Sequence, residues 1–290
     1  MDRLPAARRF VRRFVAGPAL EDALAVAARL NADGVDAAVT HLGENVATIE
    51  DAARAADAYL EVLAEIGRRR LSAVPSLKLT HLGLDLGEAA CRANLERVAA
   101  RGRESRTLVW IDMESSAYTH RTLELYRRLH ATHANLACVV QSYLRRTAQD
   151  VEHLIEIGAT VRLCKGAYRE PAQIAFPDKR DVDQSYAGLA DRLLSADALA
   201  HAVYPAFATH DERLIDRVRE RAKAGSVAPD RYEVQMLYGI RHDLHATLRA
   251  GGVRLRVLVP YGEDWYGYFM RRLAERPANL AFFLRQLLRA

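Results

Sequence analysis

The 290-residue sequence has few cysteines, few lysines and no long apolar run. Its three cysteines, Cys91, Cys138 and Cys164, form neither a CxxC motif nor an even-numbered disulfide framework, which is typical of a reduced interior. No apolar run reaches the ~18 residues that a membrane-spanning helix needs. These absences predict a cytoplasmic protein and exclude a disulfide scaffold.

The N-terminus also lacks the continuous apolar core of a signal peptide. Residues 8–15 alternate pairs of arginines with pairs of apolar residues, so a helix here would have one apolar and one arginine-rich side. Two interpretations follow: the helix packs on the domain with its basic face in water, or it lies on the anionic inner face of a membrane. The first is favoured, and peripheral membrane contact is the alternative.

Only four of the 42 basic residues are lysine: Lys78, Lys165, Lys179 and Lys223. The formal net charge is +5, yet acidic residues are spread throughout the chain. A basic balance of this kind is weak support for a nucleic-acid partner, so none is predicted. Each lysine in such an arginine-rich chain is worth locating.

Short β-type runs recur along the chain, and a helical pattern follows each of them. The runs fall near residues 36–40, 73–80, 108–113, 136–142, 160–165, 203–209, 233–237 and 253–259. Helical spacing of apolar residues is clearest at 49–66, 89–100, 123–129 and 186–199. Eight such units over this length predict a (β/α)8 barrel, and no GxGxxG follows the first strand to favour a Rossmann fold. We expect one domain, residues 1–290, with a helical extension over about residues 1–35.

Polar and charged residues concentrate where the predicted strands end. Two of them, Arg162 and Lys165, lie in or beside an apolar run, where a charge is costly unless it meets an opposite charge. Because the carboxyl ends of barrel strands meet at one rim, we expect these side chains to form a site there. The set is His41, Glu44, Lys78, His81, Asp112, Gln141, Arg162, Lys165, Tyr168, Thr209 and His210.

A further helix is predicted after strand 8, starting near Asp264. Tyr268 and Arg271 share a face of this helix, and Arg271 and Arg272 point about 100° apart. Two adjacent arginines in this arrangement could clasp one carboxylate from two sides. The plain alternative is a surface helix with solvated arginines.

Two other functions compete for these residues. A metal-dependent barrel hydrolase would use His41, His81, Asp112 and His210, with Lys165 as a modified bridging group. Against it, strand 1 has no His-x-His and several cations would repel the metals. A phosphate- or nucleic-acid-binding protein would explain the cations but leaves Asp112 and the C-terminal arginines without a role.

The motif RLCKGAY at residues 162–168 resembles the RLxKGAY strand 5 motif of the proline dehydrogenases, including their monofunctional bacterial members. Further segments resemble the same family in the same order, from about residue 42 to residue 279. These are SLKLT (76–80), IDME (111–114), VQSYL (140–144), FATHD (207–211), EVQMLYG (233–239) and YFMRRL (268–273). Several independent motifs in one order favour this family over the two other functions.

The resemblance implies a distorted (β/α)8 barrel with extra N-terminal helices and a C-terminal helix over its mouth. It implies non-covalent FAD and oxidation of L-proline to 1-pyrroline-5-carboxylate, by hydride transfer from C5 to flavin N5. Electrons would pass to a membrane quinone. The reaction would be the first step of proline catabolism to glutamate, followed by a separate pyrroline-5-carboxylate dehydrogenase.

The resemblance also implies roles for the substrate side of the site. Lys78, Arg271 and Arg272 would hold the proline carboxylate, and Glu44 would close the site as a gate paired with Arg271. Asp112 would organise these cations. The residues lining the pyrrolidine ring would be Tyr168, Leu237 and Tyr268.

On the cofactor side, Arg162 would donate to flavin N5, so that Arg162 and Asp112 are the predicted catalytic residues. Gln141 would hydrogen-bond the flavin ring. The other predicted FAD contacts are Met113, Lys165, Gly166, Ala167, Thr209 and His210. One departure is Leu258, where the family commonly has tyrosine, and this raises the question of tolerance for hydroxyproline.

Overall fold

The computed structural model describes residues 11–274, with the exception of the side chains of residues 272–274. Eight parallel strands close into a barrel in chain order, so the predicted fold is confirmed. The strands are β1 (Asp36–His41), β2 (Ala73–Leu77), β3 (Val109–Ile111), β4 (Leu136–Gln141), β5 (Thr160–Cys164), β6 (Tyr204–Ala208), β7 (Glu233–Leu237) and β8 (Leu255–Tyr261).

The described helices surround this barrel. They are α1 (Leu20–Ala32), α2 (Ile49–Arg69), α3 (Glu88–Glu104), α4 (Ser116–His130), α5 (Thr147–Glu156), α6 (Lys179–Leu193), α7 (Ala196–Ala200), α8 (Glu212–Ala224), α9 (Asp243–Ala250) and α10 (Trp265–Ala274). None of the helices in the described part of the chain is long and apolar enough to cross a membrane.

One predicted helix is wrong in its extent. The pattern over 186–199 indicated a single helix, but α6 ends at Leu193 and α7 starts at Ala196. The Ser195 hydroxyl between them accepts a hydrogen bond from the backbone N–H of Ala198 and so caps a new helix. Apolar spacing continues across this break, which is why periodicity alone did not detect it.

The closing pair of strands shows why all the strand ends meet at one rim. Strand β8 pairs in parallel with β1, and Ala37 lies opposite Val257. Since each neighbouring pair is parallel, the carboxyl ends of all eight strands point the same way. The loops after the strands therefore form a single mouth.

The opposite end of the barrel is closed by a buried ion-pair network. Arg256 donates two hydrogen bonds to Glu233, at 2.8 and 3.0 Å, and the two side chains are 5% and 1% exposed. Arg256 also bonds the Ala37 carbonyl at 3.1 Å, while Arg254 bonds Asp36 at 2.9 Å. Each buried charge has a partner here, which is the condition for keeping charge inside a barrel.

Two additions to the barrel match the prediction. Helix α1 precedes β1 and buries Ala23, Leu24 and Ala27 in the same apolar cluster as Leu255 of β8. Helix α10 begins at Trp265, as the sequence indicated, and it contributes to the lining of the mouth. Residues 1–10 lie outside the described residues, so the full helical extension over residues 1–35 stays a prediction.

Candidate active site

A cavity of about 290 Å³ opens at the mouth of the barrel, between the loop after β1, the end of β2 and helix α10. Its size suits a small molecule such as an amino acid rather than a polymer. The lining residues are Leu42, Gly43, Glu44, Lys78, Asp264, Tyr266, Gly267, Tyr268 and Arg271. Four of the predicted site residues therefore share this cavity.

A carboxylate already lies between the two described cations of the cavity. The two terminal guanidinium nitrogens of Arg271 donate to the two oxygens of Glu44 at 3.1 Å, and the Lys78 ammonium lies 3.0 Å from the same carboxylate. Burial alone would raise the pKa of Glu44, but the charges and hydrogen bonds of Lys78 and Arg271 outweigh it and lower the pKa to about 2. Lys78 and Arg271 thus form a carboxylate-binding pair, and the predicted Glu44–Arg271 contact is present.

The ring of Tyr168 lies next to Arg271. The Arg271 guanidinium carbon is 5.4 Å from the centre of the Tyr168 ring, a cation–π distance. Burial raises the pKa of the Tyr168 phenol, so this side chain is neutral and is not an acid or base near neutral pH.

Tyr268 and Leu237 belong to one apolar cluster, which also includes Leu42 and Phe269. Tyr268 is 8% exposed and Leu237 is half-buried. The structure therefore brings these two predicted ring-lining residues together. Arg272 lies within α10, but its side chain is outside the described residues and its role stays a prediction.

A second polar group lies in the barrel below the mouth. Arg162 on β5 donates to Asp112 at 2.7 Å and to the Ser76 hydroxyl at 3.3 Å, and its guanidinium carbon is 4.4 Å from the centre of the Trp110 ring. The Arg162 side chain is 7% exposed. Among residues 11–274, its Nε and Nη2 atoms have no hydrogen-bond partner.

Gln141, at the end of the neighbouring strand β4, has a similar unmet atom. Its Nε2 bonds the Met113 carbonyl at 3.4 Å, while its buried Oε1 finds no partner within the described residues. Buried polar atoms are nearly always hydrogen-bonded, so unmet donors on one strand and an unmet acceptor on the next point to a bound polar molecule.

Lys165 and Gly166 follow β5 directly. The Lys165 ammonium lies 2.5 Å from Asp183 on α6 and 3.3 Å from Asp211. Burial acts against ionisation of Asp211, but ion pairing with Arg213 and Lys165 prevails and lowers its pKa to about 2. Gly166 adopts φ +112°, a conformation that strongly favours glycine.

Thr209 and His210 follow β6, next to the end of β7. The Nε2 atom of His210 accepts a hydrogen bond from the backbone N–H of Leu237 at 2.9 Å. The Thr209 hydroxyl accepts one from the backbone N–H of Asp211 at 3.1 Å. Both residues therefore lie at the rim between β6 and β7, on the side of Lys165.

The residues of the hydrolase alternative do not form a metal site. Across residues 11–274 no group of three or more His, Cys, Asp or Glu side chains could hold a metal ion. The ring of His41 stacks on Tyr261 at 4.9 Å and lies 5.3 Å from His81. Burial, followed by the nearby His41 and the charge of Lys78, lowers the pKa of His81 to about 4, so it is neutral at pH 7.

Several residues in and below the mouth had no role assigned from the sequence. Ser76 and Trp110 contact the strand 5 arginine, and Asp183 comes from a helix to pair with the strand 5 lysine. Glu114, buried at 3% exposure, accepts bonds from the N–H and hydroxyl of Thr80. A polar Ser76 in the middle of a buried strand was a usable signal, whereas the partner from the distant helix gave none.

Comparison with known proteins identifies the family. The fold and the mouth define a (β/α)8 barrel with a carboxylate-binding pair of cations at its rim. A family model described as proline dehydrogenase matches residues 23–285. The chain belongs to the proline dehydrogenase family, so the predicted enzyme class is confirmed and the hydrolase alternative is not favoured.

Individual proteins are also similar to this chain over nearly its whole length. Proline dehydrogenase 1 of Bacillus subtilis (strain 168) is 39% identical over 279 residues, which cover 96% of this chain and 90% of that protein. Proline dehydrogenase of Deinococcus radiodurans is 38% identical over 282 residues, covering 96% and 89%. The crystal structure of proline utilization A (PutA) from Bdellovibrio bacteriovorus, inactivated by N-propargylglycine, has a TM-score of 0.85 and 25% identity. This chain spans only 32% of that longer PutA chain, and 92% of its own length is covered.

Proposed function

We propose that this protein oxidises L-proline to 1-pyrroline-5-carboxylate with FAD as cofactor and a quinone as electron acceptor. The observation that carries the proposal is the carboxylate of Glu44 held between Lys78 and Arg271. Glu44 shows that this pair of cations accepts a carboxylate in bidentate and charge-assisted geometry. The carboxylate of proline has the same chemistry as the side chain that lies there.

Substrate binding then requires an exchange of partners at Arg271. The side chains of Lys78, Arg271 and Glu44 are 14%, 19% and 32% exposed, so the two cations are the less exposed members and Glu44 is the outermost. A glutamate that swings outward frees the fork of Arg271 for the incoming carboxylate and keeps its own charge in water. Glu44 is in this sense the gate, and Arg272 is proposed as the second arginine of the clasp.

The pyrrolidine ring needs apolar walls beside that carboxylate site. Tyr168 lies against Arg271, and Tyr268 and Leu237 lie in one apolar cluster next to the cavity. Together they would hold the ring and exclude water around it. Ala167, following the glycine turn, adds a side chain small enough to let the ring approach.

The unmet polar atoms support FAD binding at the neighbouring strands. A flavin ring has an edge of nitrogen and oxygen atoms that accept hydrogen bonds and one N–H that donates. The Nε and Nη2 of Arg162, which have no partner among residues 11–274, match the acceptors. The Oε1 of Gln141, also without a partner in that part of the chain, matches the N–H. When bound, FAD would supply the hydride acceptor for proline C5 and pass the electrons to the quinone.

The remaining predicted FAD contacts surround these two residues. Met113 lies beside Gln141, and Gly166 leaves the backbone open after β5. Lys165 already balances Asp183 and Asp211, so we propose that it shapes the turn rather than presenting an unpaired charge to the cofactor. Thr209 and His210 would contact the cofactor further along the rim.

Asp112 would act by holding Arg162. Its carboxylate accepts a hydrogen bond of 2.7 Å from one guanidinium nitrogen of Arg162. This bond would orient the other N–H groups of Arg162 toward the cofactor site. The charge of Arg162 would favour an electron-rich flavin. Because Glu44 and Asp112 are both held in ion pairs, we propose that water takes the proton from the proline amine.

The outer part of the proposal concerns the partners of the enzyme. We propose a membrane quinone as the acceptor, a peripheral contact of the protein with the inner face of the membrane, and a separate pyrroline-5-carboxylate dehydrogenase as the next enzyme. These rest on the family and on the basic N-terminal segment, part of which lies outside the described residues.

Two measurements on the purified protein test the proposal. Acid precipitation should release FAD, identified by its spectrum and mass, at about one per chain. Turnover with L-proline and a soluble quinone should yield 1-pyrroline-5-carboxylate, detected by its reaction with an aromatic amine. A colourless protein, or a flavoprotein without turnover on proline, would contradict the proposal.

A further inference from the structure

Glu170, four residues after the strand 5 glycine, connects two loops of the mouth. Its carboxylate accepts bonds from the backbone N–H and the hydroxyl of Ser116, at 2.7 and 2.6 Å. Ser116 is the first residue of α4, and the side chain of the preceding residue makes no capping bond. Glu170 therefore supplies the cap of α4 from another loop, with its negative charge at the positive end of the helix.

The start of the same loop is anchored by Tyr143. The backbone N–H of Tyr143 donates to the Lys165 carbonyl at 2.9 Å, and a Cβ on Gly166 would overlap the Tyr143 ring. Tyr143 is only 7% exposed, so it is a rigid support. Its hydroxyl also lies 3.5 Å from Glu170, which links the two anchors.

Tyr168 is midway between these anchors, with Arg271 over its ring. A loop of six residues held at both ends has little freedom at its centre. Without Glu170, the next contacts downstream are those of the Ala172 and Ile174 carbonyls with Arg145, so the free loop becomes longer and fixes Tyr168 less well. We infer that Glu170 is a positioning residue, which fixes Tyr168 against the substrate through the cap on α4. The inference rests on the proposed function, because it takes Tyr168 as a wall of the proline site.

The contact chemistry separates two substitutions of Glu170. In Glu170→Ala the cap and the anchor are both lost. In Glu170→Gln the amide oxygen still accepts from the Ser116 N–H and the amide nitrogen can donate to the Ser116 hydroxyl, so the anchor persists. Ser116→Ala removes one of the two bonds and serves as a second, milder variant.

The experiment measures kcat and KM for L-proline in these variants, beside Ser195→Ala. Ser195 caps α7, away from the mouth, so its loss matches the removal of a cap without touching the site. We expect KM to rise about tenfold in Glu170→Ala and about threefold in Ser116→Ala, with kcat nearly unchanged. Glu170→Gln and Ser195→Ala should stay within about twofold of the wild type.

A double-mutant cycle with Tyr168→Ala tests whether Glu170 acts through Tyr168. Once the ring is absent, adding Glu170→Ala should raise KM no further. Three results would overturn the inference. The first is a double mutant in which the rises in KM of the two single mutants multiply. The others are an unchanged KM in both Glu170→Ala and Ser116→Ala, and a rise in KM in Glu170→Gln equal to that in Glu170→Ala. Failure of the proposed function is distinct, because the wild-type protein would then not oxidise proline at all.

Discussion

Replacing Arg271 by methionine should separate substrate binding from cofactor binding. Arg271 makes two hydrogen bonds of 3.1 Å to a carboxylate at 19% exposure, and Lys78 shares the same group. A hydrogen bond to a charged group contributes about 1.5–3 kcal/mol, and partial exposure and the remaining Lys78 reduce the total to about 3 kcal/mol. That corresponds to a rise of about two orders of magnitude in the KM for proline.

The assay is steady-state kinetics with L-proline, together with the flavin content of each purified variant. We expect the flavin content of Arg271→Met to equal that of the wild type, because its described contacts are with Glu44 and Tyr168. Arg271→Lys should be intermediate, since it keeps the charge and loses the fork. An unchanged KM, or a KM effect that follows loss of flavin, would refute the carboxylate role.

Arg69→Met is the matched control. Arg69 is the last residue of α2 and pairs with Glu65 of the same helix and with Glu21 of α1. Because α2 runs antiparallel to β1, its C-terminal end lies at the end of the barrel opposite the mouth. Arg69→Met therefore removes an arginine with two carboxylate partners but leaves the mouth of the barrel intact. Its KM for proline should equal that of the wild type.

Three further predictions concern Glu44, the turn at Gly166 and the ion pair of Arg256 with Glu233. The pKa of Glu44 is about 2 instead of the ordinary 4.5, so its ion pairs stabilise the fold above pH 4.5 and this stabilisation is lost as the pH falls toward 2. In Glu44→Gln, the urea midpoint of unfolding should therefore change less with pH between pH 4.5 and pH 2 than it does in the wild type. Gly166→Ala should lower the free energy of unfolding by about 2 kcal/mol or more, because φ is +112° and the new Cβ overlaps Tyr143; thermal unfolding measures it. Glu233→Gln leaves the buried charge of Arg256 with only the more distant carboxylate of Asp36, at 3.3 Å, and should cost about 3 kcal/mol in urea unfolding, with kcat per folded molecule unchanged.

Each of these outcomes has a clear opposite. A Glu44→Gln profile parallel to that of the wild type between pH 2 and pH 4.5 would mean that the ion pairs of Glu44 contribute nothing to acid stability. A Gly166→Ala protein that unfolds at the wild-type temperature would show that the turn tolerates a side chain. A cost for Glu233→Gln no larger than that of the exposed Glu220→Gln would contradict the buried network.

The sequence predicted the strand number and four of the residues that line the cavity, because both depend on local patterns. Alternation of apolar runs and helical spacing is a local property, and barrel topology then brings strand ends such as Lys78 and Gln141 to one rim. The break at Ser195 was missed because apolar spacing runs through it. The cause of that break is a hydroxyl cap, which the periodicity does not register.

Contacts between loops were beyond the reach of the sequence. The pairing of Lys165 with Asp183 joins residues on a strand end and a helix, and nothing in their types selects one carboxylate among many. Likewise, Glu170 had no sequence signal as the cap of α4, since the helix and the cap are 54 positions apart. Such contacts depend on the three-dimensional arrangement of the loops over the finished barrel.

The most direct test of the account is an anaerobic titration of the purified protein with L-proline, followed by its absorbance spectrum. We expect a flavin spectrum that bleaches stoichiometrically with proline in the wild type, and that bleaches only at far higher proline concentrations in Lys78→Met and Arg271→Met. A spectrum without flavin, a flavin that proline does not reduce, or equal titration curves for all three proteins would contradict it.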